Sequence, residues 1–226
     1  MQTLVSQASE VEKAEFYKKT YGHVALAILI FIAVESFLIN IVPEQYIVAM
    51  VSGKFLWLFI LGAFWLASML ANKWTLSQSR STQYLGLGFY IVLEALIFLP
   101  LIYIAVAYTG LEVIYQAAVL TLALFVGLTA YAFFSKTDFS FLRSIIVIGG
   151  FVALGLIVAG AIFGFNLGLW FSVGMVLIAS ASILYETSKL KDVYATNQYV
   201  GASLQLFASI MLLFWYILRI LMSRKD

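Results

Sequence analysis

Seven apolar blocks constrain what this chain can become. Each is long enough to cross a hydrocarbon layer about 30 Å thick at about 1.5 Å of helix rise per residue. They run over residues 24–42, 55–71, 84–107, 113–134, 144–163, 169–185 and 200–222. The chain is 64% apolar and only 11% charged, whereas a water-soluble domain carries about 25% charged residues. One core of this size could not hide that surplus, so lipid must be the solvent for most of the chain. The blocks are continuous rather than alternating in polarity, which selects spanning helices over an outer-membrane barrel. The expected fold is an all-α integral membrane protein: a seven-helix transmembrane bundle over residues 23–226, behind a polar cytoplasmic tail of residues 1–22.

Orientation follows from Lys and Arg in the short loops. Lys13, Lys18 and Lys19 precede the first block; Lys73 and Arg80, Lys136 and Arg143, and Lys189 and Lys191 fill every second loop after it. The opposite loops hold only Lys54. The N-terminus is therefore expected in the cytoplasm. Seven crossings then place Arg219, Arg224 and Lys225 outside, unless the last block stops short of crossing; its length favours a full span. The tail lacks the basic start, short apolar core and cleavage site of a signal peptide. Ser9 and Glu12 have capping-box spacing, so the tail either opens a short helix or frays.

The residue inventory excludes much chemistry. There is no cysteine and one histidine, His23, which removes disulfides, thiolate catalysis and cysteine-type zinc sites. A Ser–His protease would have to use His23, at the first membrane edge. No GxxxxGK[ST] loop or HExxH helix occurs, and residues 200–222 contain no lysine for a retinal Schiff base. A net charge of +2 gives no reason to expect a nucleic-acid partner. No enzyme, cofactor or confident metal site is read. Gly150, Gly155, Gly160, Gly164 and Gly168 recur every four or five residues, a spacing that lets helices approach closely.

Ionisable groups inside a span are costly and mark functional sites by default. Three carboxylates qualify. Glu35 lies past the middle of the first block, within reach of solvent from outside. Glu94 lies near the middle of the third, six residues before Pro100, a proline that frees a carbonyl and can bend the helix. Either it faces a polar interior, or it is a buried, protonated structural acid. Glu186, in "ILYETSKL", stands at the cytoplasmic end of the sixth block. It reads either as an interfacial acid paired with Lys189 or as a gate facing the last helix.

Four stretches together resemble the Bax inhibitor-1 / YccA family, most closely its bacterial YccA-like branch: "FYKKTYGHVALAI" from Phe16, "EALIFLPLI" from Glu94, "SKTDFSFL" from Ser135 and "ILYETSKL" from Ile183. The resemblance spans Phe16 to the C-terminus and implies a bacterial inner-membrane protein whose last helix is central, with Ser203, Gln205 and Ser209 facing inward. Some members of the family behave as pH-sensitive calcium leaks, gated by two aspartates that share a proton. Here the helix-six position matches Glu186, the gate and pH-sensing candidate, but the matching position in the last helix falls on Phe207 or Ser209. The two-acid gate is thus absent.

Two functions follow from the resemblance. The first is a slow cation (Ca²⁺) leak with a possible pH sensitivity, using Glu94 and Glu35 as oxygen donors along one interior path with Glu186. It requires the three acids to face one cavity. The second is a non-transporting modulator of a membrane-anchored AAA+ protease, with the polar tail as its handle. Secondary transport has little behind it, since no inverted repeat or broken helix pair is visible.

Overall fold

The computed structural model describes residues 3–224, so the expectation that Lys225 lies outside concerns a residue beyond those described. Eight α-helices follow one another among the described residues: α1 Glu10–Ile41, α2 Glu44–Ser52, α3 Lys54–Thr75, α4 Arg80–Ile104, α5 Leu111–Phe134, α6 Leu142–Phe163, α7 Gly168–Asp192 and α8 Tyr199–Met222. All but α2 are long and apolar enough to span a bilayer, so the expected seven-helix membrane bundle is the observed architecture.

α8 is the hub. Of its most apolar stretch 61% is buried, against 22% for α1 and 6% for α3. It packs against α1, α3, α4, α5 and α7. Residues on all sides of it are buried, including Leu206, Phe207, Ile210, Leu213 and Leu218. A helix surrounded by protein need not be apolar throughout, which accommodates Ser203 and Ser209.

Three elements differ from the sequence reading. First, of the two readings of the tail the structure takes the capped helix, and extends it into the first span. Ser9 and Glu12 form a reciprocal capping box, and α1 begins at Glu10, with Phe16 and Thr20 buried long before the apolar block starts. Ahead of it, Leu4 pairs with Ala195 in an antiparallel bridge. The Val5 N–H donates to the Tyr194 carbonyl at 3.0 Å, and the Thr196 N–H to the Thr3 carbonyl at 3.0 Å. Second, the loop after α1 holds α2, whose Ile47 is buried. Third, α4 runs through Pro100 to Ile104, within the block read over 84–107, and then passes into a π-helical turn, Ala105–Thr109, that the sequence did not announce.

The glycine stripe also needs correction. A Cβ added at Gly150, Gly155 or Gly168 would meet nothing within 4 Å. Gly160 approaches only the loop after its own helix, where a Cβ would lie 3.2 Å from the Phe165 carbonyl oxygen; the close approach to another helix belongs to Gly149, off that stripe, where a Cβ would stand 2.7 Å from Ile178. The face of α6 turned to α7 runs through Gly149 and the buried Ala153, four residues on. A less yielding contact joins α3 and α4: a Cβ on Gly86 would lie 2.8 Å from both the Ala71 carbonyl oxygen and Trp74 Cβ.

Candidate functional site

An open cavity of about 840 Å³ lies between α2, α3, α4, α6, α7 and α8. It reaches from mid-bundle to the end opposite the N-terminus, where residues 164–167 line it. Gly164 makes that turn possible: it caps α6 with a φ of 79°, a conformation that side chains disfavour. Asn166 then accepts the Gly168 N–H at 3.1 Å, closing the loop on α7.

Glu94 is the carboxylate of this cavity. The Tyr90 hydroxyl, one helical turn before it, donates to its Oε1 at 2.7 Å. Three further polar groups line the space: Ser182, Gln205 and Ser209. Gln205 Nε2 donates to Asn72 Oδ1 on α3 at 2.8 Å. The Ser209 hydroxyl gives its one proton to the Gln205 carbonyl at 2.9 Å, so in the 2.8 Å contact between Ser182 and Ser209 the donor must be Ser182. This serine pair ties α7 to α8 across the deep end of the cavity. Arg219 lines the wall toward the far end of α8, and Trp57 stacks on Trp215 with ring centroids 6.3 Å apart.

Glu186 stands four residues beyond Ser182, on the same face of α7 and about 6 Å further along it. α7 continues to Asp192, so Glu186 sits inside the helix rather than just past its end. Lys189 Nζ reaches both of its oxygens, at 2.8 and 3.1 Å. The Tyr194 hydroxyl lies 3.5 Å from Oε2. Burial first, and then the negative charge of Glu186, hold that phenol well above its ordinary range and keep it a proton donor. The expected Lys189 partnership is therefore present, and α8 brings no carboxylate to Glu186.

Glu35 is placed differently. It is 5% exposed, as is Glu94, but neither of its oxygens has a hydrogen-bond partner among the described residues. One turn earlier on α1, Phe31 packs on Phe98 of α4 and Phe207 of α8, which locates that stretch of α1 in an apolar contact. Glu35 and Glu186 do not line the cavity. The requirement that all three acids face one cavity is not met, because they project from three helices at different levels. Of the α8 candidates, Gln205 and Ser209 line the cavity, while Ser203 is buried and donates locally to the Val200 carbonyl at 2.8 Å. Among the described residues, no three His, Asp or Glu side chains gather into a metal cage.

A family model described as inhibitor of apoptosis-promoting Bax1 matches residues 13–226. The chain belongs to the Bax inhibitor-1 family. An uncharacterised protein of Pseudomonas aeruginosa is 39% identical over 112 residues, covering 49% of this chain and 50% of its own. An uncharacterised membrane protein of Vibrio cholerae is 35% identical over 124 residues, or 52% and 53%. A Golgi anti-apoptotic protein of vaccinia virus is 32% identical over 121 residues, or 51% and 49%. The chain spans about half the length of the curated relatives it matches.

In this Bax inhibitor-1 protein the sequence reading missed Tyr90, Ser182, Asn72 and Tyr194. Two of them carried a local signal, since Tyr90 and Ser182 each precede an acid by four residues, the spacing of neighbours on one helix face. Asn72 and Tyr194 carried none; their partnerships depend on how helices and loops meet.

Proposed function

We propose that this Bax inhibitor-1 protein conducts cations, Ca²⁺ foremost, slowly across a bacterial inner membrane, with its N-terminal end in the cytoplasm. The observation that carries this reading is the polar track from Glu94 through Gln205, Ser209 and Ser182 to the face of α7 that holds Glu186. The cavity forms the outer vestibule. The Ser182–Ser209 contact and the Glu186–Lys189 pair form the closure at the other end. Supporting the orientation, the ends of the helices that carry Lys13, Lys18, Lys19, Lys73, Arg80, Lys136, Arg143, Lys189 and Lys191 all lie together.

The donor set argues for weak, slow passage. Ca²⁺ prefers six to eight oxygen ligands, and sites with few charged ligands bind on the order of millimolar. Glu94 offers one carboxylate, the serines and Gln205 offer neutral oxygens, and water fills the rest. At the closure, Lys189 occupies Glu186, so a cation must displace an ammonium before it can use that acid. Glu35 stands off this track and plays no part in it.

The alternative, a non-transporting modulator of a membrane-anchored AAA+ protease with the tail as its handle, is the less favoured reading, since the tail is helical from Glu10 and its Val5 is buried. The test is Ca²⁺ flux into liposomes holding the purified full chain. Flux above empty liposomes that falls roughly tenfold in Glu94→Gln, a loss of about 1.4 kcal/mol of site affinity, supports the leak. Wild-type flux equal to that of empty liposomes rejects it.

A further inference from the structure

We infer that the N-terminal end of the bundle carries a binding site for the phosphodiester headgroup of an anionic lipid, built by Lys19, Arg80 and His23 around the ring of Tyr199. This site lies apart from the cation path and does not depend on it.

Two cations from different helices converge on one ring. Arg80 Cζ of α4 lies 4.5 Å from the Tyr199 centroid, and Lys19 Nζ of α1 lies 5.3 Å from it. Lys19 also pairs with Glu15 at 2.6 Å. Arg80 has only neutral acceptors among the described residues: Gln83 Oε1 at 2.8 Å and the Asn197 carbonyl at 3.1 Å. Glu15 already offsets Lys19, so the charge left uncompensated at the ring is that of Arg80, which an anion placed there would neutralise. A guanidinium fork beside an ammonium suits phosphate oxygens.

His23 fixes the floor. Its Nδ1 lies 2.7 Å from the Lys19 carbonyl, which can only accept, so Nδ1 carries a proton. In the neutral ring Nε2 is then the acceptor, and Tyr84 donates its hydroxyl to it at 3.1 Å. The imidazole stacks on Tyr84 at 5.5 Å and leans on Tyr199 at 5.1 Å between ring centroids. This aromatic stack holds α1, α4 and α8 together where the cations meet.

The surroundings select a lipid over free phosphate. Tyr84 and Leu85 on α4 and Leu26 on α1 are exposed beside the cluster. The lipid-facing apolar surface therefore starts within one or two turns of Lys19 and Arg80. A headgroup held at the cations would lay its acyl chains over that surface, which inorganic phosphate cannot cover.

The experiment is native mass spectrometry of the full chain in detergent, titrated with phosphatidylglycerol, phosphatidylcholine or inorganic phosphate. Phosphatidylglycerol should be retained over phosphatidylcholine and phosphate. Its affinity should fall roughly 30-fold in the double variant Lys19→Gln/Arg80→Gln. It should fall less in Arg80→Lys, which keeps the charge but loses the guanidinium fork, and should change little in Lys136→Gln/Arg143→Gln, which removes the same charge elsewhere at that end. If the double variant does not fold, Lys19→Gln alone should lose roughly fivefold. Equal retention of the two lipids, equal binding of phosphate, equal loss in the Lys136/Arg143 control, or no loss in Lys19→Gln would overturn the site.

Discussion

The backbone N–H of Val5 and the carbonyl oxygen of Tyr194 are 3.0 Å apart, and the hydroxyl of that tyrosine lies 3.5 Å from Glu186. The segment ahead of α1 is thereby tied to the loop that roofs the Glu186–Lys189 pair. Phe16 adds a ring contact to Tyr194 at 6.5 Å.

Val5→Pro removes that donor while suiting the first position of a helical turn. Loss of one net hydrogen bond, about 1 kcal/mol, should speed amide exchange in residues 193–198 roughly fivefold, and Ca²⁺ flux should rise with it. Hydrogen–deuterium exchange by mass spectrometry reads the first effect. Unchanged exchange would mean that the bridge does not hold the loop.

Gly86 sets the distance between α3 and α4. A methyl group there meets the Ala71 carbonyl oxygen and Trp74 Cβ, neither of which is the end of a flexible side chain. Gly86→Ala should lower stability by about 1–3 kcal/mol, read as a drop in melting temperature in detergent. Gly150→Ala, which meets open space, should leave it unchanged or raise it slightly, because alanine is the better helix former.

How much of this was legible in the sequence depended on the range of the interaction. The spans, the Ser9–Glu12 box and the Glu186–Lys189 pair rest on periodicity or on spacings of three residues, so the chain alone revealed them. The centrality of α8 came from family resemblance, since its composition matches that of its neighbours. Contacts such as Gln205 with Asn72, 133 residues away, leave no local trace. The supposed common cavity of Glu35, Glu94 and Glu186 failed for the same reason: helix number and depth do not report which face a side chain presents. Gly86 carries no signal of its own: Gly88, two residues on, meets nothing within 4 Å, and only the crossing of α3 with α4 sets the two apart.

Glu35 provides a contrast between the acids. With both oxygens buried and unpartnered, replacing it by Leu removes an unsatisfied group and should stabilise the protein by about 1 kcal/mol, visible as a raised melting temperature. Flux should be unchanged. A loss of flux in Glu35→Leu would return that residue to the ion path.

Asp138 supplies a pH dependence outside the membrane. The Ser140 N–H and hydroxyl both donate to its carboxyl at 2.8 Å, and the backbone bond above all holds it below the ordinary aspartate value of 3.8. A depressed folded pKa stabilises above the unfolded value and loses that contribution as pH falls through the folded one. Asp138→Ala should therefore melt lower than wild type at pH 7, with the gap closing below about pH 4. A gap independent of pH would assign the effect to packing rather than to the charge.

The central claim is that the Glu186–Lys189 pair closes the path below the Glu94 cavity. Its most direct test is Ca²⁺ flux in liposomes for wild type, Lys189→Gln and Glu186→Gln, each across pH 6 to 8. Lys189→Gln frees the acid and should raise flux several-fold. Glu186→Gln leaves no carboxylate there for a cation to use and should lower flux. Flux that is the same in all three proteins at every pH would contradict the closure and leave the pair as a structural clasp at the end of α7.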